Sequence, residues 1–118
     1  MRVLVCGGRD YKDEYLVYKT LDAVLAKYGD DLVIIHGSAP GAGELAEKWA
    51  KSRQVEYIGI PAKWKAKGRG AGPIRNKLMR DKYAPKACIA FPGENGTKGM
   101  VGLMREIGIE PWLVGWDE

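Results

Sequence analysis

Short apolar segments alternate with longer amphipathic segments along this chain, and few folds accommodate that order. The apolar segments have the length of buried strands and cover residues 3–6, 32–36, 55–60, 86–91 and 109–114. The amphipathic segments repeat their apolar residues every three to four positions, as a helix with one buried face does. They cover residues 13–28, 44–52, 73–83 and 97–107. The pattern predicts five strands connected by helices.

Strands that are apolar throughout, rather than at alternate positions, are typical of a parallel sheet with both faces covered. Helices between successive strands provide that cover, and such crossovers are right-handed. We therefore predict an α/β fold, a small Rossmann-like three-layer sandwich with a five-stranded, mostly parallel sheet, in which residues 1–118 form one domain. Asp13 and Thr97 are expected to cap the first and last helices, and Pro73 is expected at the first position of its helix.

Composition excludes several classes of protein. The apolar runs are far shorter than the ~20 residues of a membrane span, and the first residues predict a strand rather than a signal peptide. Cys6 and Cys88 lie in apolar segments without CxxC spacing, which is typical of reduced core residues. His36 is the single histidine, so a multi-histidine metal site is impossible. The sequence predicts a cytoplasmic protein with no metal, no cofactor and no membrane partner.

Positive charge is concentrated between Lys63 and Lys86. Nine basic residues and one acid, Asp81, give this basic segment a charge of about +8, whereas the rest of the chain carries −4. A local positive field favours an anionic ligand, either a phosphorylated small molecule or nucleic acid. A lysine-rich helix and loop exposed to solvent is the alternative interpretation.

Clustered glycines follow three of the predicted strands, in loops 7–10, 37–43 and 92–97. In a parallel sheet the carboxyl ends of the strands share one edge, and ligands bind there at the point where the strand order reverses. Glycine lets backbone N–H groups approach a phosphate, and the helix that follows adds partial positive charge. One such loop is an ordinary turn, but three together predict phosphate-binding loops around one crevice.

No standard nucleotide fingerprint accounts for these loops, because GxGxxG is missing after the first strand and GxxxxGK[ST] is missing throughout. Five other motifs follow one another: Gly7-Gly8-Arg9-Asp10-Tyr11, His36-Gly37-x-Ala39-x-Gly41-Ala42, Pro61-Ala62-x-Trp64, Ala71-Gly72-Pro73-Ile74-Arg75-Asn76 and Phe91-Pro92-Gly93-x-x-Gly96-Thr97-x-x-Met100-Val101. With these motifs the chain closely resembles the YspA-type, cpYpsA-related branch of the SLOG superfamily, which is common in bacteria and phages.

The resemblance implies a Rossmann-like fold and a site for a nucleotide-derived ligand, such as an ADP-ribose or NAD derivative or a nucleoside phosphate. The superfamily also includes the Lonely Guy phosphoribohydrolases and the DNA-processing protein A, which binds single-stranded DNA. The Lonely Guy pattern PGGxGTxxE has a glutamate where this chain has Met100, and a glycine where it has Glu94. In the YspA-like branch, aspartates are common at the positions held here by Gly43 and Lys63. These departures favour binding over catalysis.

Polar residues beside the glycines are the candidate ligand contacts. Arg9 and Arg75 could each bind a phosphate through a guanidinium fork, and Asp10 could accept hydrogen bonds from ribose hydroxyls. Glu94 is the candidate catalytic acid or base, as the one carboxylate in the loop after the fourth strand. His36 is expected to be a buried histidine bonded to loop backbone. The predicted ligand contacts are Gly7, Gly8, Arg9, Asp10, Gly37, Ser38, Gly41, Arg75, Asn76, Gly93, Gly96 and Thr97.

Three functions are compatible with these residues. The first is binding of a nucleotide-derived ligand, for sensing, sequestration or slow processing. The alternative is a phosphoribohydrolase-like N-glycosidase that acts on a nucleotide through Glu94. The second alternative is a module that binds single-stranded nucleic acid through the basic segment, where Trp64 would stack on a base or anchor the loop. The sequence leaves open whether the ligand is turned over and whether the protein forms a homo-oligomer.

Overall fold

The computed structural model describes residues 1–116. Its strands are β1 (Arg2–Cys6), β2 (Val33–His36), β3 (Glu56–Gly59), β4 (Ala87–Ala90) and β5 (Trp112–Leu113). Its α-helices are α1 (Glu14–Tyr28), α2 (Ala42–Arg53), α3 (Trp64–Lys67), α4 (Ala71–Asp81) and α5 (Asn95–Glu106). Short 3₁₀ turns cover Gly29–Asp31 and Gly68–Gly70. No helix within residues 1–116 combines the length and the apolar composition that crossing a bilayer requires.

The strands form one sheet in the order β3-β2-β1-β4-β5. In the centre, Leu4 of β1 lies opposite Ile35 of β2 on one side and opposite Cys88 of β4 on the other. All four strand pairs are parallel, so the predicted Rossmann-like α/β fold is confirmed. The chain runs outward from β1 to β3 and then crosses to β4, on the opposite side of β1. The strand order therefore reverses between β1 and β4.

Side chains of the sheet alternate between two cores. One core lies between the sheet and helices α1 and α2, and its buried members include Val3, Val5, Ile34 and Trp49. The other lies between the sheet and helices α4 and α5, and its buried members include Leu4, Ile35, Cys88 and Met100. Because both faces are covered, successive residues of one strand are buried alike, which explains the continuous apolar segments. Cys6 and Cys88 are free thiols.

The predicted starts of α1 and α4 differ in their outcome. Asp13 caps α1 as expected, because its carboxylate accepts the Leu16 N–H at 3.0 Å. The prediction for Pro73 is wrong by two positions: α4 begins at Ala71, and Pro73 is its third residue. The N–H groups of the whole first turn have no partner within a helix, so proline is accommodated at either position.

The predicted cap at Thr97 is wrong. Helix α5 begins at Asn95 with Glu94 in the capping position, and the Lys98 N–H donates to the Glu94 carbonyl to close the first turn. Thr97 is therefore already inside the helix, where its side chain is buried against Gly93. A hydroxyl-bearing residue ahead of an apolar run signals a cap only if the backbone has not yet become helical.

Three loop backbones meet at the carboxyl edge of the sheet, in a contact that we call the glycine junction (Gly7, Gly8, Gly41 and Gly93). The Gly8 N–H donates to the Pro92 carbonyl at 2.8 Å, and the Gly8 carbonyl accepts the Ala42 N–H at 3.2 Å. A Cβ on Gly7 would lie 2.5 Å from the Cβ of Ala42. Side chains at these positions would push the loops after β1, β2 and β4 apart.

Gly41 is the most constrained member of the glycine junction. Its φ of +84° lies in the left-handed region that favours glycine. A Cβ there would also collide with the Gly8 carbonyl oxygen and lie 2.7 Å from the carbonyl carbon of Arg9.

We predict that Gly41→Ala lowers the free energy of unfolding by about 3 kcal/mol, since backbone strain and overpacking each cost about 1–3 kcal/mol. Gly99→Ala is the matched control, because a Cβ at this α5 position would meet no heavy atom within 4 Å. Alanine is a better helix former than glycine, so this substitution inside α5 should raise the free energy of unfolding by about 0.5–1 kcal/mol. Urea unfolding measures both changes. Equal stability of the two variants would contradict the claim that the glycine junction has no room for a side chain at Gly41.

Candidate functional site

The strand order brings the predicted ligand contacts to one edge of the sheet. Residues 7–10 follow β1, residues 37–41 follow β2, and residues 93–97 link β4 to the first turn of α5. Arg75 and Asn76 belong to the first half of α4. The loop after β1 leads to α1 on one face, whereas the loop after β4 leads to α5 on the other. In open α/β sheets, ligands bind in the crevice between two loops that diverge in this way, and we call this position the crevice.

Arg75 holds two loops against the start of α4. Its Nη1 donates to the Gly37 carbonyl at 2.5 Å and to the Ile60 carbonyl at 3.3 Å, and its Nε donates to Asn76 Oδ1 at 2.8 Å. A Cβ on Gly37 would lie 2.5 Å from Nη1, so only glycine admits the guanidinium this closely. The third nitrogen, Nη2, has no partner among residues 1–116 and is not buried, so its protons remain available to a ligand.

The charge of Arg9 reaches Arg75, and no acid among residues 1–116 forms an ion pair with either arginine. Arg9 is exposed, and its guanidinium carbon lies 5.5 Å from the ring centroid of Trp64, within the range of a cation–π contact. Burial, and then the charge of Arg9, lower the pKa of Arg75. Neither arginine forms an ion pair with a carboxylate of residues 1–116. This arrangement attracts an anion.

Asn76 and Thr97 connect α4 to the first turn of α5. Asn76 is 8% exposed, and its Nδ2 donates to the Gly96 carbonyl at 3.4 Å while Oδ1 accepts from Arg75. Thr97 is 6% exposed and lies against Gly93. The first N–H groups of α5 have no partner within the helix, so the positive end of its dipole faces the same edge of the sheet as the two arginines.

The glycines of the three loops divide into two groups. Close packing explains why glycine is needed at the glycine junction and at Gly37, and the Gly8 N–H is already bonded within the protein. Ligand contact at these positions therefore stays a prediction. Gly96 is different, because a Cβ there would meet no heavy atom within 4 Å. Packing does not explain this exposed glycine, and ligand contact at Gly96 also stays a prediction.

Asp10, Ser38 and Glu94 are exposed around the crevice. Neither carboxylate forms an ion pair within residues 1–116. Glu94 occupies the capping position of α5, but its side chain makes no capping bond. No group of three or more His, Cys, Asp or Glu side chains that could hold a metal ion occurs in the described part of the chain. Two carboxylates and two arginines that form no ion pair within residues 1–116 are therefore present at this edge.

His36 is 1% exposed, and its Nδ1 accepts the Ser38 N–H at 3.0 Å, which confirms the expected bond to loop backbone. Its other partner, Glu47 of α2, was not indicated by the sequence, because the contact depends on how α2 packs on β2. The sequence contains only a weak indication of the contact between Arg9 and Trp64, namely a large aromatic residue in a polar, basic segment.

Comparison with known proteins agrees with the motifs. The model of a family described as "YspA, cpYpsA-related SLOG family" matches residues 1–66, which contain β1 to β3 and the first two glycine loops. The Gene 61 protein of Mycobacterium phage D29 is 34% identical to this chain over 115 residues, covering 92% of this chain and 91% of the phage protein.

Proposed function

Because this chain belongs to the YspA, cpYpsA-related SLOG family, we propose that it binds a nucleotide-derived ligand in the crevice between the loops after β1 and β4. The proposed ligand is an ADP-ribose or NAD derivative or a nucleoside phosphate. One observation carries the proposal: the charge of Arg9 reaches Arg75, and no carboxylate of residues 1–116 pairs with either arginine.

A phosphate suits the two arginines electrostatically. Neighbouring guanidinium groups repel each other, and Arg75 is in addition half-buried, so holding both charges here opposes folding. A ligand phosphate would offset that repulsion and accept hydrogen bonds from Nη2 of Arg75 and from the guanidinium of Arg9. The N–H groups at the start of α5 are further donors of the kind that bind phosphates.

Trp64 supports a ligand that carries a base as well as a phosphate. The side chain is 46% exposed and lies beside Arg9, at the border of the crevice. Stacking of a base on an aromatic side chain contributes about 1–3 kcal/mol. A cationic group for phosphate next to an exposed aromatic ring for a base favours a nucleotide over inorganic phosphate.

The residues at positions 94 and 100 favour binding of the ligand without its hydrolysis. Met100, at the position where the Lonely Guy pattern has glutamate, is 1% exposed in the core beneath α4 and α5. Glu94 is exposed, and no hydrogen bond within residues 1–116 orients its carboxylate. A general acid or base must be held in place at the reacting group; Met100 has no ionisable group, and Glu94 is not held by the protein.

Arg9→Ala should weaken binding of ADP-ribose by about tenfold or more, since a hydrogen bond to a charged group contributes about 1.5–3 kcal/mol. The melting temperature should change little, because the loss of the contact with Trp64 and the relief of repulsion from Arg75 act in opposite directions. Calorimetric titration with ADP-ribose, NAD and AMP measures the affinity. Arg69→Ala, which removes an exposed arginine from the basic segment, is the control.

Glu94→Gln should leave the affinity for ADP-ribose within about threefold of wild type, and neither protein should release free base during long incubation. Chromatography of the incubated nucleotide measures that release. Base released by wild type and not by Glu94→Gln would establish the N-glycosidase instead. Equal affinity of wild type and Arg9→Ala would eliminate the proposed site.

A second candidate function, binding of single-stranded nucleic acid, is favoured by the basic segment. Seven of its cations are exposed and form no ion pair with residues 1–116: Lys63, Lys65, Lys67, Arg69, Lys77, Lys82 and Lys86. Elsewhere, Lys48 pairs with Glu14 and Arg53 pairs with Asp22. Successive phosphates of a strand would satisfy such cations, with one base stacked on Trp64.

For this second candidate, Lys67→Glu should weaken binding of a short oligothymidylate and reduce its salt dependence. The slope of log K against log salt should fall in magnitude by about 0.7 for each lost phosphate contact. Fluorescence anisotropy at several salt concentrations measures it. Lys19→Glu on α1 changes the net charge equally at another exposed lysine and is the control. The same loss in both variants would indicate a general charge effect and contradict the candidate.

A further inference from the structure

We propose that His36 is a positioning residue for ligand binding: its neutral ring holds the turn at Gly37 and Ser38, and the Gly37 carbonyl in turn fixes the guanidinium of Arg75. The inference rests on the proposed function, because it concerns Arg75 as the group that binds the anion. It adds a residue that lies outside the crevice and acts through the backbone.

Only one protonation state of the His36 ring satisfies both of its hydrogen bonds. Nδ1 lies 3.0 Å from the backbone nitrogen of Ser38, which can only donate, so Nδ1 must be the acceptor. Nε2 lies 2.9 Å from Oε1 of Glu47 and therefore carries the proton that it donates to the carboxylate. The ring is 1% exposed, so water cannot readily replace either partner. The structure requires the neutral tautomer with its proton on Nε2.

The turn after β2 depends on that acceptor. Ser38 has a φ of +53°, in the left-handed region that residues other than glycine adopt at a cost. On the β3 side the turn is closely packed, because a Cβ on Gly59 would collide with Ser38 Oγ and lie 3.0 Å from Cε1 of His36. The bond between the Ser38 N–H and Nδ1 compensates the strain, and its loss would leave the turn without that support.

The same turn holds Arg75. The Gly37 carbonyl accepts from Nη1 of Arg75, and the second acceptor of Nη1 is the Ile60 carbonyl. The Ile60 N–H donates to the His36 carbonyl at 2.9 Å. Both acceptors of Nη1 are thus tied to residue 36, one through the chain and one through a hydrogen bond. A shift of this turn would move the guanidinium.

Protonation of His36 would remove the acceptor, because a proton on Nδ1 would face the Ser38 N–H. The charged and titratable groups around the ring are Glu47 and Lys51 of α2, Tyr57 of β3 and Arg75 of α4. Burial is the largest effect and lowers the pKa of His36, Glu47 opposes it, and Arg75 lowers the pKa further. The neutral ring therefore predominates above the ordinary pKa of 6.5. Its hydrogen bond to the Ser38 N–H is lost as the pH falls through the lower pKa of the folded state.

Two substitutions separate the roles of the two ring nitrogens. His36→Asn places an amide oxygen near the position of Nδ1, so it retains an acceptor for Ser38 and cannot titrate. His36→Gln extends toward Glu47 instead and leaves the Ser38 N–H without an acceptor. Both variants lose the same ring, so the loss of packing is shared. We expect His36→Gln to bind ADP-ribose about tenfold more weakly than His36→Asn at neutral pH.

The dependence on pH is a second readout. ADP-ribose is a suitable probe, because a phosphate with a second pKa near 6 would itself titrate and a diphosphate diester does not. The affinity of wild type should fall by about tenfold as the His36 ring becomes protonated below its lowered pKa, and that of His36→Asn should stay within about threefold over the same range.

A third readout needs no ligand. The Nη1–H signal of Arg75, identified by its loss in Arg75→Lys, should be protected from exchange in wild type and in His36→Asn, because Nη1 is bonded to the Gly37 and Ile60 carbonyls. In His36→Gln, and in wild type at low pH, that protection should be lost. As the single histidine, His36 also gives one set of ring-nitrogen signals, from which its tautomer and pKa are read directly.

Equal affinity of His36→Asn and His36→Gln for ADP-ribose, or an Arg75 signal that stays protected in both and at low pH, would overturn the inference. A different result separates it from the proposed function. If wild type does not bind ADP-ribose but the Arg75 signal responds as expected, the link from His36 to Arg75 is supported and the proposed function alone is contradicted.

Discussion

The central position of β1 determines where the other elements can lie. β1 pairs with β2 on one side and with β4 on the other, and its successive side chains enter opposite cores. Since α1 and α5 cover opposite faces, the loops that follow β1 and β4 must separate as they leave the sheet. The glycine junction holds the same loops together where they emerge from it. The crevice is therefore a consequence of strand order and close backbone packing, before any side chain is considered.

Charge and strain are concentrated at the edge of the sheet where this crevice opens. The charge of Arg9 reaches Arg75, Ser38 has a left-handed backbone, and Gly37 and Gly41 admit contacts too close for any side chain. Each of these features opposes folding locally, whereas the two cores beneath them are apolar and closely packed. Proteins tolerate such departures where function needs them, and here they surround the carboxyl ends of three strands.

Local sequence signals failed where the backbone of a neighbouring loop decided the outcome. Thr97 has the residue type of a cap, but α5 begins two residues earlier and buries its side chain against Gly93. The loop glycines were interpreted as phosphate donors, yet most of them are needed where backbones meet. Trp64 had no periodic reason to be in a core, and it is exposed beside Arg9. The loops of the glycine junction, and Arg9 and Trp64, lie far apart along the chain, so no local pattern reports these contacts.

Although α3 was not predicted, the parallel sheet, the alternation of its five strands with α1, α2, α4 and α5, and the edge that carries the glycine loops follow from the one-dimensional pattern. This is so because apolar periodicity and chain connectivity leave few ways to cover both faces of such a sheet. The contacts of Arg75 with Gly37 and Ile60, and of His36 with Glu47, arise only when loops and helices distant in sequence are packed together. A hydrogen bond depends on distances of tenths of an ångström, and residue spacing along a chain does not encode them.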